Sequence, residues 1–294
     1  MNAPPQAPLP ALSDLSITEF LTLSRVGFLP RGLVIGASVF EAAPPQWGAV
    51  GFWDLLLGRA QTPQQQAVQA GEVTALSEAV RGARVLAIER MRRQAAQFQA
   101  EGVVGVRLTV EHHRWRGGIQ VAKFIAMGTA VSFDHDHGPV EFRGAPSLRL
   151  ASGVPFTSDL SGQDFVSLLR AGFRPVTVAS GTCVYQLDPN EVRRYYGQNA
   201  EIGAYTQAFF DARETAMERL QLDLFAEFPA GHPDAPTGIV GMSVSEASHV
   251  DRRFPGPPVV EFTAVGTAIA PLAPADPRRS NERPVPRIVV PMDR

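Results

Sequence analysis

Residues 121–131, VAKFIAMGTAV, decide the fold of this chain, because they return as residues 259–269, VVEFTAVGTAI. Six of the eleven aligned positions are identical. Both stretches have the composition of a β-strand, in which alternate side chains share one face. Phe124 and Phe262 would then each lie among small residues on one face. Such a face predicts that a helix packs closely against it.

The two stretches belong to a longer internal repeat. Residues 14–40 align without a gap to residues 159–185, with 11 identities in 27 positions. When the helix and strand blocks that follow in the same order are included, 25 of 54 aligned positions are identical. The chain is therefore predicted to be a tandem duplication of the α+β class. Each unit is expected to contain a short helix, a strand, a long helix and two further strands.

Local signals mark the beginnings and ends of the predicted helices. Ser16 and Glu19 form a capping-box pattern, and Gly27 is expected to end the short helix in a left-handed cap. The second unit repeats the box in weaker form, with Ser161 and Asp164. From Glu72 to Ala100 the apolar residues recur with a helical period that places Phe98 on the buried face.

The repeat also divides the chain into segments. Residues 1–13 are expected to be a disordered arm, 14–132 the first unit, 133–153 a linker, 154–270 the second unit and 271–294 a proline-rich C-terminal arm.

Composition excludes several classes of function. A net charge of -2 over 294 residues gives no reason to expect nucleic acid or an anionic membrane as partner. A single cysteine cannot form an internal disulfide, and neither a signal peptide nor a membrane span is expected from the sequence. A cytoplasmic protein is therefore expected.

Three features carry a resemblance to a known family. They are the glycine-bearing strand at residues 36–40, the Ala-Arg-rich helix at 83–91, and the strands at 102–106 and 124–131. Together they resemble the YbjQ-like family, over residues 14–132 and again over 159–270. Members of that family are small α+β domains that form pentameric rings, so the resemblance implies a homo-oligomer whose sheet edges pair between domains. Two arrangements would satisfy this expectation. One is five chains with ten domains in two stacked rings, and the other is one ring that mixes both units.

The heavy-metal-binding label of the family directs attention to one cluster of possible ligands: Asp134, His135, Asp136 and His137. Imidazole and carboxylate groups suit zinc or a similar divalent ion. We favour a solvated linker, because a structural zinc site needs about four well-placed ligands. Cys183 aligns with Ser38 and has no second cysteine nearby, so a structural role is expected for it.

Charged residues recur in both units. The recurring residues are Arg25 and Arg170, Glu89 and Arg90, and Glu218 and Arg219. They could line a site at an interface, but salt bridges that set geometry are the favoured interpretation. Lys123 and Glu261 occupy equivalent strand positions with opposite charge, which could select the pairing of unlike units.

The sequence contains no Ser-His-Asp or Cys-His signature, phosphate loop or zinc-protease helix. The leading hypothesis is a non-catalytic, homo-oligomeric ring-forming scaffold or binding protein without a cofactor. The two arms and the insertion at 42–71 are expected to contact other copies or a protein partner. The alternative is a metal-ion or small-ligand binding protein, with sites at domain interfaces or near 134–137. An enzyme whose site forms between subunits is a third hypothesis.

Overall fold

The computed structural model of the chain describes residues 12–42, 70–114, 120–135, 147–188, 201–249 and 259–272. Within these ranges the chain forms four helices and eight strands, which confirms the α+β class. In chain order the elements are α1 (Ile17–Arg25), β1 (Phe28–Ala42), β2 (Gly71–Glu72), α2 (Thr74–Gln97), β3 (Gly102–Arg114), β4 (Gln120–Phe133), β5 (Phe156–Thr157), α3 (Gly162–Arg170), β6 (Phe173–Gln186), α4 (Gly203–Glu227), β7 (Gly238–His249) and β8 (Val259–Pro271).

The strands form two four-stranded sheets, one in each half of the chain. Their strand orders are β1-β4-β3-β5 and β2-β6-β8-β7. The long strands pair antiparallel, whereas β5 runs parallel to β3. The two shortest strands pair with strands of the opposite half. β2 comes from the first half and pairs with β6, and β5 comes from the second half and pairs with β3. Each half therefore contributes a short strand to the sheet of the other half.

The short helices begin at the predicted caps. The Ser16 hydroxyl accepts a hydrogen bond from the Glu19 N–H at 3.2 Å, and the Glu19 carboxylate accepts one from the Ser16 N–H at 2.8 Å. Ser161 accepts from the Asp164 N–H in the same way at 3.1 Å. These bonds satisfy N–H groups that the first helical turn leaves without an internal partner.

The long helices lie directly on their sheets at two aligned glycines. A Cβ atom built on Gly36 would lie 1.9 Å from the carbonyl oxygen of Ala87, and one built on Gly181 would lie 1.9 Å from that of Ala216. No side chain fits into these gaps, so each position requires glycine. Small residues on both surfaces allow this approach, as the sequence predicts.

Two details of α2 differ from the sequence prediction. The helix begins at Thr74 rather than at Glu72, because Glu72 lies in β2 and pairs with Tyr185 of β6. Phe98 follows the last helical residue and is half-exposed, with its ring against Gly32, instead of lying on the buried face. Both differences arise at the ends of the helix, where packing against other elements overrides the helical period.

The aligned strands β3 and β7 each contain a bulge at a glycine. Gly105 has φ 64° and Gly241 has φ 65°, a left-handed backbone conformation that favours glycine. The register of β3 with β4 shifts at Gly105, and that of β7 with β8 shifts at Gly241. The bulge residues are therefore left out of the pairing with the central strand of their own sheet.

Three clusters of buried side chains form the core. One lies between α2 and the first sheet, and a second lies between α4 and the second sheet. The third joins the halves and includes Phe28 and Val104 from the first half and Phe156 and Phe165 from the second. The two halves of the chain thus share a continuous apolar contact.

Some predictions fall outside the described part of the chain. They concern the N-terminal arm up to residue 11, the insertion from 43 to 69 and the C-terminal arm from 273 onwards. Of the helices that are described, none has the length and apolar character needed to cross a membrane.

Candidate assembly interface

The contact between the two halves begins with strand addition to the edge of β3. The Ser158 N–H donates to the Val103 carbonyl at 2.9 Å, and the Val106 N–H donates to the Ser158 carbonyl at 2.9 Å. The Gly105 N–H donates to the Leu160 carbonyl at 3.1 Å. Residues 156–160 thereby satisfy the N–H groups that the bulge in β3 turns outward.

Helix α3 then packs against the first half through Phe165. Its ring lies 5.1 Å from Phe28 in an edge-to-face arrangement and stacks on Phe156 at 5.6 Å, measured between ring centroids. The Gly162 N–H at the start of α3 donates to the Glu19 carboxylate at 3.2 Å. Hydrogen bonds from Ser16 and from the backbone of Gly162 lower the pKa of Glu19, which keeps a negative charge at the helix N-terminus, where it is favourable.

The N-terminal end of α2 covers the outer edge of β6. The Val73 N–H donates to the Val184 carbonyl at 2.8 Å, and the Val184 N–H donates to the Ser77 hydroxyl at 3.0 Å. Further along α2, Arg81 donates to both carboxylate oxygens of Asp223 on α4, and both N–O distances are 2.6 Å. Backbone and side-chain bonds together fix the position of α2 on the second half.

Two arginines of α2 lie at this contact, Arg84 buried and Arg92 largely buried. Arg84 donates to the hydroxyls of Thr182 and Thr263 in the second sheet. Burial lowers the pKa of Arg84 to about 10, and the nearby carboxylate of Glu261 opposes that effect. Arg92 donates to Thr157 and Thr177, and burial lowers its pKa as well. A buried cation needs such partners, so these bonds specify one arrangement of the halves.

The charged residues that recur in the sequence lie in equivalent places. Arg25 and Arg170 are exposed in the last turns of α1 and α3. Arg90 donates to the Ala37 carbonyl, and Arg219 donates to the Thr182 carbonyl, which occupies the aligned strand position.

The recurring acidic residues, Glu89 and Glu218, are not seen to pair with the arginines that follow them. Glu89 pairs with Arg93, and Glu218 is exposed. Arg219 pairs instead with Glu72 of β2. An interface role for this recurring set therefore stays a prediction.

Lys123 and Glu261 lie in different surroundings. Lys123 forms a cross-strand ion pair with Glu111 at 3.2 Å. Glu261 is buried and lies close enough to Arg84 to influence its pKa. Their proposed part in selecting unlike units also stays a prediction.

The suggested metal cluster is only partly described. The Asp134 N–H donates to the Gly27 carbonyl at 2.8 Å, and His135 lies exposed with its Nε2 3.4 Å from a carboxylate oxygen of Glu101. Asp136 and His137 lie outside the described residues. Among the residues that the structure does describe, no group of three or more His, Cys, Asp and Glu side chains could hold a metal ion. The metal site near residues 134–137 therefore stays a prediction.

His135 and Glu101 also border an open cleft of about 290 Å³ between the end of α2 and the end of β4. Its wall combines Arg31 and Arg149 with the ring of Phe133. The Glu101 carboxylate accepts a hydrogen bond from the Leu148 N–H at 3.0 Å. Glu101 thus connects residues after β4 to the protein body, which explains why this acidic side chain is buried.

Cys183 is a buried core residue, as predicted. Burial raises the pKa of its thiol to about 11, and the carboxylate of Glu72 acts in the same direction. The side chain is therefore a neutral thiol at physiological pH rather than the thiolate that binds metals. At the aligned position, the Ser38 hydroxyl donates to the Ala83 carbonyl at 2.6 Å.

Comparison with known proteins places the chain in a family. A family model described as "Putative heavy-metal-binding", that of the YbjQ-like proteins, matches residues 58–134. Over 286 residues the chain is 36% identical to a protein of Mycobacterium tuberculosis named encapsulin nanocompartment protein, covering 96% of this chain and 91% of that one. The chain belongs to the YbjQ-like family. In this YbjQ-like chain, the family description is not matched by a metal-ligand cluster among the described residues.

Sequence reasoning missed several residues of this YbjQ-like interface. Arg81 and Arg92 have no aligned arginine in the second unit, so the repeat did not point to them. Arg84 carried a usable signal, because it lies on the apolar side of a predicted helix between Val80 and Ala87. An arginine on that face needs a polar partner from another element.

Proposed function

We propose that this chain is a non-catalytic assembly protein whose copies join head to tail into a homo-oligomeric ring that serves as a scaffold. The observation that carries the proposal is the exposed apolar face of α1. Phe20 and Leu21 are 42% and 47% exposed, whereas the aligned residues of α3, Phe165 and Val166, are 0% and 2% exposed. The difference arises because α3 packs on the first half, whereas none of the described residues covers this side of α1.

The outer edge of β1 supports the same conclusion. Ile35 and Val39 are exposed there, whereas Val184, which aligns with Val39, is buried under β2 and α2. An exposed edge strand with apolar side chains is a surface that proteins normally cover. In a head-to-tail assembly, another copy covers it.

Each half thus has one covered side and one open side. The first half uses β3, α2 and one side of α1 in the contact within the chain, and it leaves β1 and the Phe20 and Leu21 side of α1 open. The second half uses α3, β6 and Asp223 of α4, and it leaves β7 and the part of α4 that carries Phe210 and Phe225 open. A contact that joins the second half of one copy to the first half of the next is heterologous, and such contacts form rings when the rotation closes.

The proposed scale of the assembly follows from the repeat and from the resemblance to ring-forming YbjQ-like domains. We infer that the two units arose by tandem duplication and that five chains assemble ten units. The relative's name associates that protein with an encapsulin nanocompartment. From that name we take for the present chain only the general property of self-assembly, and the proposed function involves neither a catalytic group nor a cofactor.

Size-exclusion chromatography with light scattering tests the proposal. The wild type is expected to elute as a multimer of the 31.7 kDa chain. Replacing Phe20 and Leu21 with glutamate is expected to release single copies, because charge on this face cannot be buried without a partner. Val85→Glu is the matched control, since Val85 is an exposed apolar residue of α2 outside the named surfaces. A monomeric wild type would overturn the proposal.

A further inference from the structure

We propose that residues 12–15 of one copy add as a short parallel strand to the open edge of β7 in the next copy. The inference rests on the proposed head-to-tail assembly and names the segment that forms its backbone contact. The occupant of the β7 edge is thus a defined segment of a second copy of this chain. β-Strand addition to an open edge is a common mode of recognition between polypeptides.

The contact within the chain supplies the template. Residues 157–160 align with residues 12–15, and three residues are identical: Ser13, Asp14 and Leu15 match Ser158, Asp159 and Leu160. The segment in the second half, residues 157–160, already lies on a sheet edge, that of β3. The segment in the first half shares three of these four residues, and no described sheet edge of its own chain pairs with it.

Both aligned segments, residues 12–15 and 157–160, are held in the same way by the sheet of their own half. The Asp14 N–H donates to the Thr129 hydroxyl at 3.0 Å, and the Asp159 N–H donates to the Thr267 hydroxyl at 3.0 Å. Thr129 and Thr267 are aligned residues of the central strands β4 and β8. Residues 12–15 are therefore already positioned for an edge that a neighbour would supply.

The receiving edge also has the right form. β7 matches β3 in its bulge, with nearly equal φ angles at Gly241 and Gly105. Gly241 and Met242 are left out of the pairing with β8, as Gly105 and Val106 are left out of the pairing with β4. In β3 these outward N–H groups donate to the added strand, so the same two groups of β7 are available for the same purpose.

Exposure distinguishes the filled edge from the open one. Met242 on β7 is 38% exposed, whereas Val106 at the aligned position of β3 is 4% exposed. Leu12 is 71% exposed, whereas the aligned Thr157 is completely buried. Both partners of the proposed contact are thus uncovered in a single copy, and the contact that would cover them is one that the chain already makes elsewhere.

The alignment predicts the individual hydrogen bonds. The Ser13 N–H would donate to the Ile239 carbonyl, as the Ser158 N–H does to Val103. The Met242 N–H would donate to the Ser13 carbonyl, and the Gly241 N–H would donate to the Leu15 carbonyl. Three such bonds fix the direction and register of the strand.

A cysteine cross-link tests the contact. In the template Thr157 lies opposite Val103, so Leu12→Cys and Ile239→Cys in one chain would lie opposite each other across the contact between copies. Neighbouring strands bring Cα atoms within the range that a disulfide requires. Under oxidising conditions a denaturing gel is expected to show a ladder of covalently joined chains. Each single variant is the control and should give no ladder, because Cys183 is buried.

A backbone variant tests the same contact without a new covalent bond. Ser13→Pro removes the N–H that would donate to β7, and we expect loss of the multimer. Leu12→Pro is the control, because the N–H of residue 12 alternates away from that edge. If the wild type is a multimer but neither the ladder nor the effect of Ser13→Pro appears, the strand addition is wrong while the assembly stands. If the wild type is a monomer, the proposed function fails too.

Discussion

Arg81 and Asp223 form a two-point ion pair between α2 and α4, with both N–O distances at 2.6 Å. The pair connects the long helix of one half to the long helix of the other. It does so beside the buried hydrogen bonds of Arg84 and Arg92. The two halves are therefore joined by charged as well as apolar contacts.

Removing Arg84 should destabilise the chain strongly. Arg84→Ala removes the buried guanidinium that donates to the hydroxyls of Thr182 and Thr263, and leaving buried polar groups without their partner costs about 1–3 kcal/mol each. Arg93→Ala is the control, because Arg93 is exposed and its pair with Glu89 contributes about 0.5 kcal/mol. Urea denaturation measures both free energies of unfolding. Equal effects of the two variants would contradict the buried-cation account.

Adding a methyl group to the glycines of the helix–sheet contact should separate the helix from the sheet. Gly36→Ala or Gly181→Ala places a Cβ in contact with a helix backbone that cannot move aside. We expect each to lower the free energy of unfolding by about 1–3 kcal/mol. Gly82→Ala is the matched control within α2, because its Cβ would meet open space. That variant should raise the free energy of unfolding by about 1 kcal/mol. A tolerated Gly36→Ala would refute the close approach.

The thiol of Cys183 should make stability depend on alkaline pH. Its folded pKa is raised to about 11 from 9.0, so the folded state holds the proton that the unfolded state loses in this window. The free energy of unfolding should therefore fall as pH rises from 9 to 11, by an amount on the order of 1 kcal/mol at pH 10. Cys183→Ser removes this titration and fits a position where the aligned residue is Ser38.

The pH effect is measured as a difference between two proteins. Denaturation of the wild type and of Cys183→Ser at pH 8 and pH 10 gives two differences in stability, and other titrating groups cancel between them. The advantage of the wild type should shrink at pH 10. A constant difference would show that the thiol titrates alike in both states.

Assembly should not depend on a bound metal. The described residues offer no group of three ligands, and assembly on the present account comes from strand and helix contacts. Elemental analysis of protein purified without chelator should find no stoichiometric divalent metal, and chelator treatment should leave the multimer unchanged. A stoichiometric metal that disappears in the His135→Ala, His137→Ala double variant would instead establish the site near residues 134–137.

Some features could be predicted from the sequence because a short pattern causes them. The capping box of Ser16 and Glu19 sets the start of α1 without help from distant residues. Gly36 and Gly181 recur in aligned strands because a helix backbone occupies the space of a side chain. In each case one local physical requirement selects the residue type.

Other features depend on distant contacts that the sequence does not display. β2 and β5 are two residues long, too short for any periodicity, and they exist only because another sheet edge receives them. The partner of Arg81 lies 142 positions away, on a helix whose orientation no local pattern specifies. No local pattern in the sequence marks β7 as an open edge, because the difference from β3 lies in whether residues from the other half pair with the strand.

The measurement that tests the central claim most directly is native mass spectrometry of the full chain, purified without chelator. A head-to-tail ring of this chain predicts a five-copy species built from 31.7 kDa subunits, with no added metal mass. A species of one copy would contradict the account, because the open faces of α1, β1 and β7 would then have no copy to cover them.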